Sequence, residues 1–167
     1  MRILDPTFKD NIPRYTLQCL LAMAIIFIVM LFDDAVLSMT IVASLGASTF
    51  IAIAMPHTNS ASPRYLVGGY IVGASCGVLM NFIYSYLVSM NIQILGHSPH
   101  ILSCAIAVGL AMFLMVITNS EHPPAAALSM GLVSQPNALV TAFIAVSSIV
   151  IISVIKTLLK KWLKNLL

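Results

Sequence analysis

A long stretch without charge constrains this chain more than any other feature. Residues 65–120 contain no Asp, Glu, Lys or Arg. The whole chain is 60% hydrophobic and 8% charged, whereas soluble domains contain roughly 25% charged residues. The composition therefore predicts an integral membrane protein. The net charge of +3 lies mainly in the two ends of the chain, where it fits contact with the lipid bilayer, and it gives no support for nucleic-acid binding.

Apolar runs separated by polar connectors predict an all-α bundle of transmembrane helices, in a single domain over residues 1–167. A spanning helix needs about 20 apolar residues. We expect such helices over residues 15–32, 35–55, 66–90, 101–118 and 138–159. Asp33 and Asp34 predict a tight turn in water between the first two.

A shorter helix is expected over residues 123–133. Pro123 and Pro124 suit a first helical turn and disfavour helix in the residue before them. With irregular backbone at its ends this helix would complete a sixth crossing, whereas a re-entrant hairpin would leave five. Lys and Arg near both ends of the chain predict that both termini are cytoplasmic, in a bacterial inner membrane. That orientation favours six crossings.

Small residues indicate how the helices pack. Gly69, Gly73 and Gly77 form a GxxxGxxxG stripe, which permits close approach of helix backbones in lipid. The stripe fits packing within the chain, and it also fits a contact between subunits. A bundle this small is expected to form a dimer or a trimer.

The residues before the proline pair are the strongest candidates for a functional site. Non-helical backbone at membrane depth must be buried in protein or line a wet cavity. Glu121 then needs water or a partner, for which Arg64 and His122 are candidates. A helix that begins at Pro123 would direct the N–H groups of Ala125 and Ala126 towards an anion.

Other residues complete the expected anion pathway. Ser48 and Thr49 would donate hydrogen bonds from the second helix, and Gly46 would let a ligand approach. Arg64 would attract the anion to the pathway. Structural alternatives remain open: His122 as an ordinary internal donor, Arg64 as an orientation signal, and Glu121 in water at the membrane surface.

The stretch EHPPAAALSM, with His122-Pro123-Pro124, resembles the HPP family of small integral membrane proteins. Gly46 to Thr49 and Ser62 to Tyr70 are similar to two further segments of that family, so that the resemblance covers about residues 43–133. Tyr70 stands where a histidine is usual. Members of the family in chloroplasts and cyanobacteria are associated with nitrite transport, and the resemblance therefore implies permeation of a small inorganic anion.

The resulting hypothesis is a transporter or channel for a small monovalent anion, with nitrite as the expected substrate. No hydrolase or ATP-binding motif is visible, so we expect neither enzymatic activity nor a cofactor or metal. The alternative is a membrane anchor or sensor subunit with a structural proline turn. The predicted substrate-binding residues are Gly46, Ser48, Thr49, Arg64, Asn119, Ser120, Glu121 and His122.

Overall fold

The chain folds into a bundle of α-helices. The structure, a computed structural model, describes residues 11–33, 39–93 and 98–166, with the backbone alone for residues 29–33. The helices are α1 (Ile12–Asp33), α2 (Met39–Ala54), α3 (Pro63–Ser89), α4 (His100–Thr118), α5 (Pro123–Leu132) and α6 (Ala138–Leu159), with a short 3-10 turn over Asn59–Ala61. No strand occurs in these ranges.

The expected spans agree with these helices. The last span is confirmed residue for residue, and the expected start of the second, residues 35–38, lies outside the described residues. The remaining helix ends differ by at most a few residues. By length and composition α3, α4 and α6 are able to cross a membrane, while α2 and the apolar part of α1 are shorter. The expected turn at Asp33-Asp34 and the charges of residues 1–10 lie outside the described side chains.

Both ends of the described chain lie at the same end of the bundle. The hydroxyl of Tyr15, near the start of α1, donates to the carbonyl of Leu166 over 2.9 Å. The N–H of Leu166 donates in turn to the carbonyl of Ala54, at the end of α2. Arg64, at the start of α3, donates to carbonyls at the end of α4. We call this the turn end, because the segment that joins α4 to α5 also lies here.

The short helix α5 runs parallel to α3 and away from the turn end. Gly69 on α3 faces the residues just before α5, and Gly73 and Gly77 face successive turns of α5, where a Cβ built on Gly77 would lie 2.7 Å from the carbonyl oxygen of Ser129. The glycines therefore serve packing within the chain. Further along α3, the Asn81 amide donates to the carbonyl of Val133 over 2.8 Å.

The chain consequently makes six passes through the bundle. A 10-residue helix is about 15 Å long, so the non-helical residues on either side of α5 supply the rest of its pass. After α5 the carbonyl of Gln135 accepts a hydrogen bond from the Asn81 side chain of α3. Asn81 lies 18 residues beyond Pro63, which is about 27 Å along the helix from the turn end. A re-entrant segment would have returned to the turn end before α6 began. The structure thus has the six-pass arrangement.

Candidate functional site

A left-handed residue and two prolines fix the turn between α4 and α5. Asn119 follows α4 with a φ of 49°, and the N–H of Ser120 donates to the carbonyl of Met115 over 3.0 Å. This pattern is a common way of ending a helix. His122 is extended, with a φ of −139° and a ψ of 91°, as expected for a residue before proline. Helix α5 then begins at Pro123.

The first turn of α5 lacks the free donors expected from the sequence. Pro123 and Pro124 have no N–H, and the N–H of Ala125 donates to the carbonyl of His122 over 2.8 Å. The expectation that the N–H groups of Ala125 and Ala126 would together receive an anion is therefore wrong, since that of Ala125 is engaged. A helix that opens with two prolines loses the donors that make other helix starts anion sites.

The side chain of His122 is buried between helices α2 and α3. Its exposed fraction is 0%, and its Nε2 atom lies 2.8 Å from the Oγ atom of Ser48 on α2. Its ring centroid lies 5.8 Å from that of Tyr70 on α3. A Cβ built on Gly69 would lie 2.5 Å from the Cβ of His122. Glycine at that position is what allows the histidine to sit against α3.

A chain of hydroxyl groups connects His122 to both neighbouring helices. The hydroxyl of Tyr70 lies 2.8 Å from Ser44 Oγ and 2.9 Å from Ser48 Oγ. Ser44 donates to the carbonyl of Pro124, and Ser48 lies 3.0 Å from the carbonyl of Ser44. All these side chains are buried. They form what we call the polar cluster: Ser44, Ser48, Tyr70 and His122.

Counting protons in the polar cluster assigns the tautomer of His122. Ser44 must donate to Pro124, because a carbonyl can only accept. Tyr70 therefore donates its single proton to Ser44, and Ser48 directs its own proton towards Tyr70 and the Ser44 carbonyl. The contact between Ser48 and His122 is then satisfied only when Nε2 carries a proton and donates. In the neutral ring this leaves Nδ1 as a bare acceptor.

The Nδ1 atom of His122 is buried and has no hydrogen-bond partner. A buried polar atom left without a partner costs about 1–3 kcal/mol. Such an atom is uncommon in a well-packed interior and calls for an explanation. Nδ1 is the one atom of the polar cluster that is left to form a hydrogen bond with a ligand.

Glu121 lies beside this cluster but takes no part in it. It is exposed, and it forms no hydrogen bond or ion pair with any residue of the described ranges. The expected partnership with Arg64 or His122 is therefore wrong, and Ser48 rather than Glu121 orients the histidine ring. Both Glu121 and His122 line a mainly apolar groove of about 300 Å³, together with Met112, Met115, Val116, Pro123 and Ala126.

Arg64 and Asn119 form hydrogen bonds on the exposed side of the turn between α4 and α5. The Nε and Nη2 atoms of Arg64 donate to the carbonyls of Asn119 and Thr118, over 3.1 and 3.2 Å. The side-chain oxygen of Asn119 accepts from the Tyr65 hydroxyl over 2.8 Å. Both Arg64 and Asn119 are exposed, whereas Ser120 is buried and lies 2.8 Å from the Thr118 hydroxyl. Arg64 thus stabilises the end of α4 as well as carrying charge at the turn end.

Two of the predicted residues on α2 do not reach the polar cluster. The hydroxyl of Thr49 donates to the carbonyl of Leu45 over 2.8 Å, within its own helix, and its donation to a ligand stays a prediction. One residue along a helix is a rotation of about 100°, which turns Thr49 away from the face that carries Ser48. Gly46 faces open space, with no atom within 4 Å of a Cβ built there.

Sequence reasoning missed three residues of interest. Ser44 and Tyr70 belong to the polar cluster, and the i, i+4 spacing of Ser44 and Ser48 on an apolar helix was the available signal. Lys156 lies in the last turn of α6 and is 3% exposed, although its position near other lysines suggested a solvated tail. Within the described ranges, no three His, Cys, Asp or Glu side chains come together as metal ligands.

Comparison with known proteins agrees with this architecture. The family model for the HPP transmembrane region matches residues 8–166, well beyond the part that carried the resemblance. A transmembrane protein of Dictyostelium discoideum is 31% identical over 90 residues, which are 54% of this chain and 28% of that protein. The chain therefore spans less than a third of that relative's length. No solved structure gives a significant match. The chain belongs to the HPP family of transmembrane proteins.

Proposed function

We propose that this protein is a transporter or channel for a small monovalent anion, with nitrite as the first substrate to test. The observation that carries the proposal is the unpartnered Nδ1 atom of His122, buried in a polar cluster inside an apolar bundle. Polar and ionisable groups inside a membrane protein are costly and usually mark a pathway for ions or protons. No enzymatic reaction is proposed.

The tautomer of His122 determines how an anion would bind. A neutral ring that donates through Nε2 offers only a lone pair at Nδ1, which repels an anion. When Nδ1 gains a proton, the ring becomes a cation with a donor directed away from Ser48. An anion and the protonated ring together carry no net charge, which lowers the cost of burying both. We therefore propose that the anion and a proton enter the site together.

Cations at the turn end would supply the attraction that the start of α5 lacks. Arg64 is exposed there with part of its guanidinium unengaged, and Lys156 is buried near the end of α6. The same charges support a cytoplasmic turn end, and with it cytoplasmic termini, under the positive-inside rule. A bacterial inner membrane is the proposed location.

A second candidate function is a membrane anchor or sensor subunit that transports nothing. The tight packing of Gly69 against His122 and the engaged N–H of Ala125 favour it, because both suit a purely structural turn. In that case the polar cluster would serve only to join α2, α3 and α5.

Uptake by liposomes separates the two candidates. Purified protein in liposomes should accelerate nitrite entry at least tenfold over lipid alone. His122→Gln keeps a donor near Ser48 but removes Nδ1, and it should reduce entry to the level of empty liposomes. Thr141→Val is the matched control, because among the described residues its hydroxyl on α6 is the other buried side-chain atom without a partner. If liposomes with wild-type protein take up nitrite, nitrate, formate and chloride no faster than empty liposomes, the result would favour the membrane anchor or sensor subunit.

A further inference from the structure

One face of the bundle, formed by α4 and α5, is unusually open. Of the three long apolar helices α4 is the least buried. Ala105, Gly109, Met112 and Val116 are exposed along α4 at alternating spacings of four and three residues. Pro123 and Met130 of α5 are exposed beside them. We call these six residues the α4–α5 face.

The α4–α5 face is hollow rather than convex. The groove beside Glu121 and His122 lies towards the turn end. A second hollow of about 620 Å³ lies towards the opposite end, with Ala105 and Met130 among its lining residues. At Gly109, between the two, a Cβ would meet no atom within 4 Å. Ala105, Gly109, Met112 and Val116, among the exposed residues of α4, have the spacing of a seam between two packed helices. A small residue in such a seam permits close approach in lipid.

Glu121 distinguishes this face from an ordinary lipid-facing surface. Its neighbours Ser120 and His122 pack on Gly68 and Gly69, which lie five and six residues beyond Pro63, or about 8–9 Å along α3. The carboxylate lines a groove whose other walls are mainly apolar. Acyl chains would leave such a carboxylate without a partner, which is unfavourable in a membrane.

The other charged side chains that the structure describes at the turn end are basic. Arg64, Lys160, Lys161 and Lys164 are exposed there, and none of them lies within ion-pair distance of Glu121 in the same chain. A second copy in the same orientation keeps the two turn ends on one side of the membrane. It therefore brings the Arg64 of that copy to about the depth of Glu121, because Arg64 donates to the carbonyls of Thr118 and Asn119, just before Glu121.

We propose that the α4–α5 face binds a second copy of this chain, with Glu121 facing a basic side chain of that copy at the turn end. The hollows accept apolar side chains from the neighbour, and Gly109 allows the helices to approach. This inference is independent of anion transport, because assembly requires no substrate.

Association measured by energy transfer between labelled proteins in liposomes, at increasing lipid dilution, tests the proposal. Gly109→Trp should weaken association at least tenfold, since it fills the centre of the face. Val154→Trp is the matched control, because it adds the same ring to an exposed position on α6, and it should change association less than twofold. Circular dichroism establishes that both variants are folded.

The charge is tested separately with Glu121→Gln and Glu121→Lys. The first should weaken association severalfold and the second more strongly, because it places like charges together. Wild-type protein that remains monomeric at every dilution would overturn the proposal. So would equal weakening by the two tryptophan variants, or association unaffected by Glu121→Lys.

Discussion

The Oγ atom of Ser48 holds the Nε2 atom of His122 at 2.8 Å, and it therefore orients a buried ring whose other nitrogen has no partner. The contact joins α2 to the turn between α4 and α5, and Tyr70 of α3 bonds to the same Ser48 hydroxyl. Its removal should disturb both the stability of the fold and the position of the ring.

Ser48→Ala should lower the free energy of unfolding by about 1–3 kcal/mol, because it leaves the Nε2 proton of His122 buried without an acceptor. Thermal unfolding in detergent measures the effect. Ser75→Ala is the control, since that hydroxyl also bonds its own helix but is exposed, and it should change stability by no more than about 0.5 kcal/mol. Equal effects would mean that the contact with His122 contributes little.

Tyr70→Phe should also destabilise the protein, by about 1–2 kcal/mol, because it removes the hydroxyl between Ser44 and Ser48 while keeping the ring. In the double variant with Ser48→Ala, the two losses should not add, since both residues belong to one hydrogen-bonded chain. Chemical or thermal unfolding of the two single variants and the double variant measures the coupling. Additive losses would contradict the cooperative cluster.

Alanine at two glycines should act with opposite signs. Gly73→Ala places a Cβ against the carbonyl of Ala125, so it should cost about 1–3 kcal/mol through overpacking. Gly109→Ala meets open space and should stabilise the monomer by up to about 1 kcal/mol through helix propensity. Unfolding at detergent concentrations that keep the protein monomeric compares the two. A stabilising Gly73→Ala would show that α3 and α5 are less closely packed.

Anion uptake should rise as the pH falls. The neutral His122 ring offers an acceptor at Nδ1, and only protonation turns that atom into a donor for an anion, so acid favours binding. Initial rates of nitrite entry into liposomes between pH 8 and pH 5, with empty liposomes subtracted at each pH, measure the profile. His122→Gln should give a flat profile near zero. A wild-type rate that increases with pH would contradict the proposed joint entry of proton and anion.

Lys156→Met should reduce uptake severalfold without loss of stability. Burial of a charge is unfavourable, and replacement by an apolar residue of similar length is often neutral or stabilising. Lys161→Met removes a nearby exposed charge and serves as the control, with little effect on either property. Uptake and thermal unfolding are both needed, because reduced uptake together with lost stability would indicate a structural role alone.

The sequence predicted the helices well and the site only partly. Long apolar runs and the prolines at residues 63 and 123 determine where helices begin, and these signals are local. Ser48 and His122 were predicted to share one anion site, but neither their direct hydrogen bond nor the part played by Tyr70 was predicted, because both contacts arise through packing between distant segments. The free N–H group expected at Ala125 is not found, because it donates to the carbonyl of His122. The two prolines between these residues have no N–H group to bond to that carbonyl.

The close contact of α3 with α5 limits how this bundle can change shape. At Gly73 and Gly77 the backbone of α3 lies directly against α5, and at Gly69 it lies against the turn before α5, with no flexible side chain between them to absorb a shift. The two helices should therefore rock as one rigid block that carries His122 with it. Any opening that alternately admits solvent from the two sides of the membrane would have to occur where this block slides past α2, α4 or α6, which all pack against it.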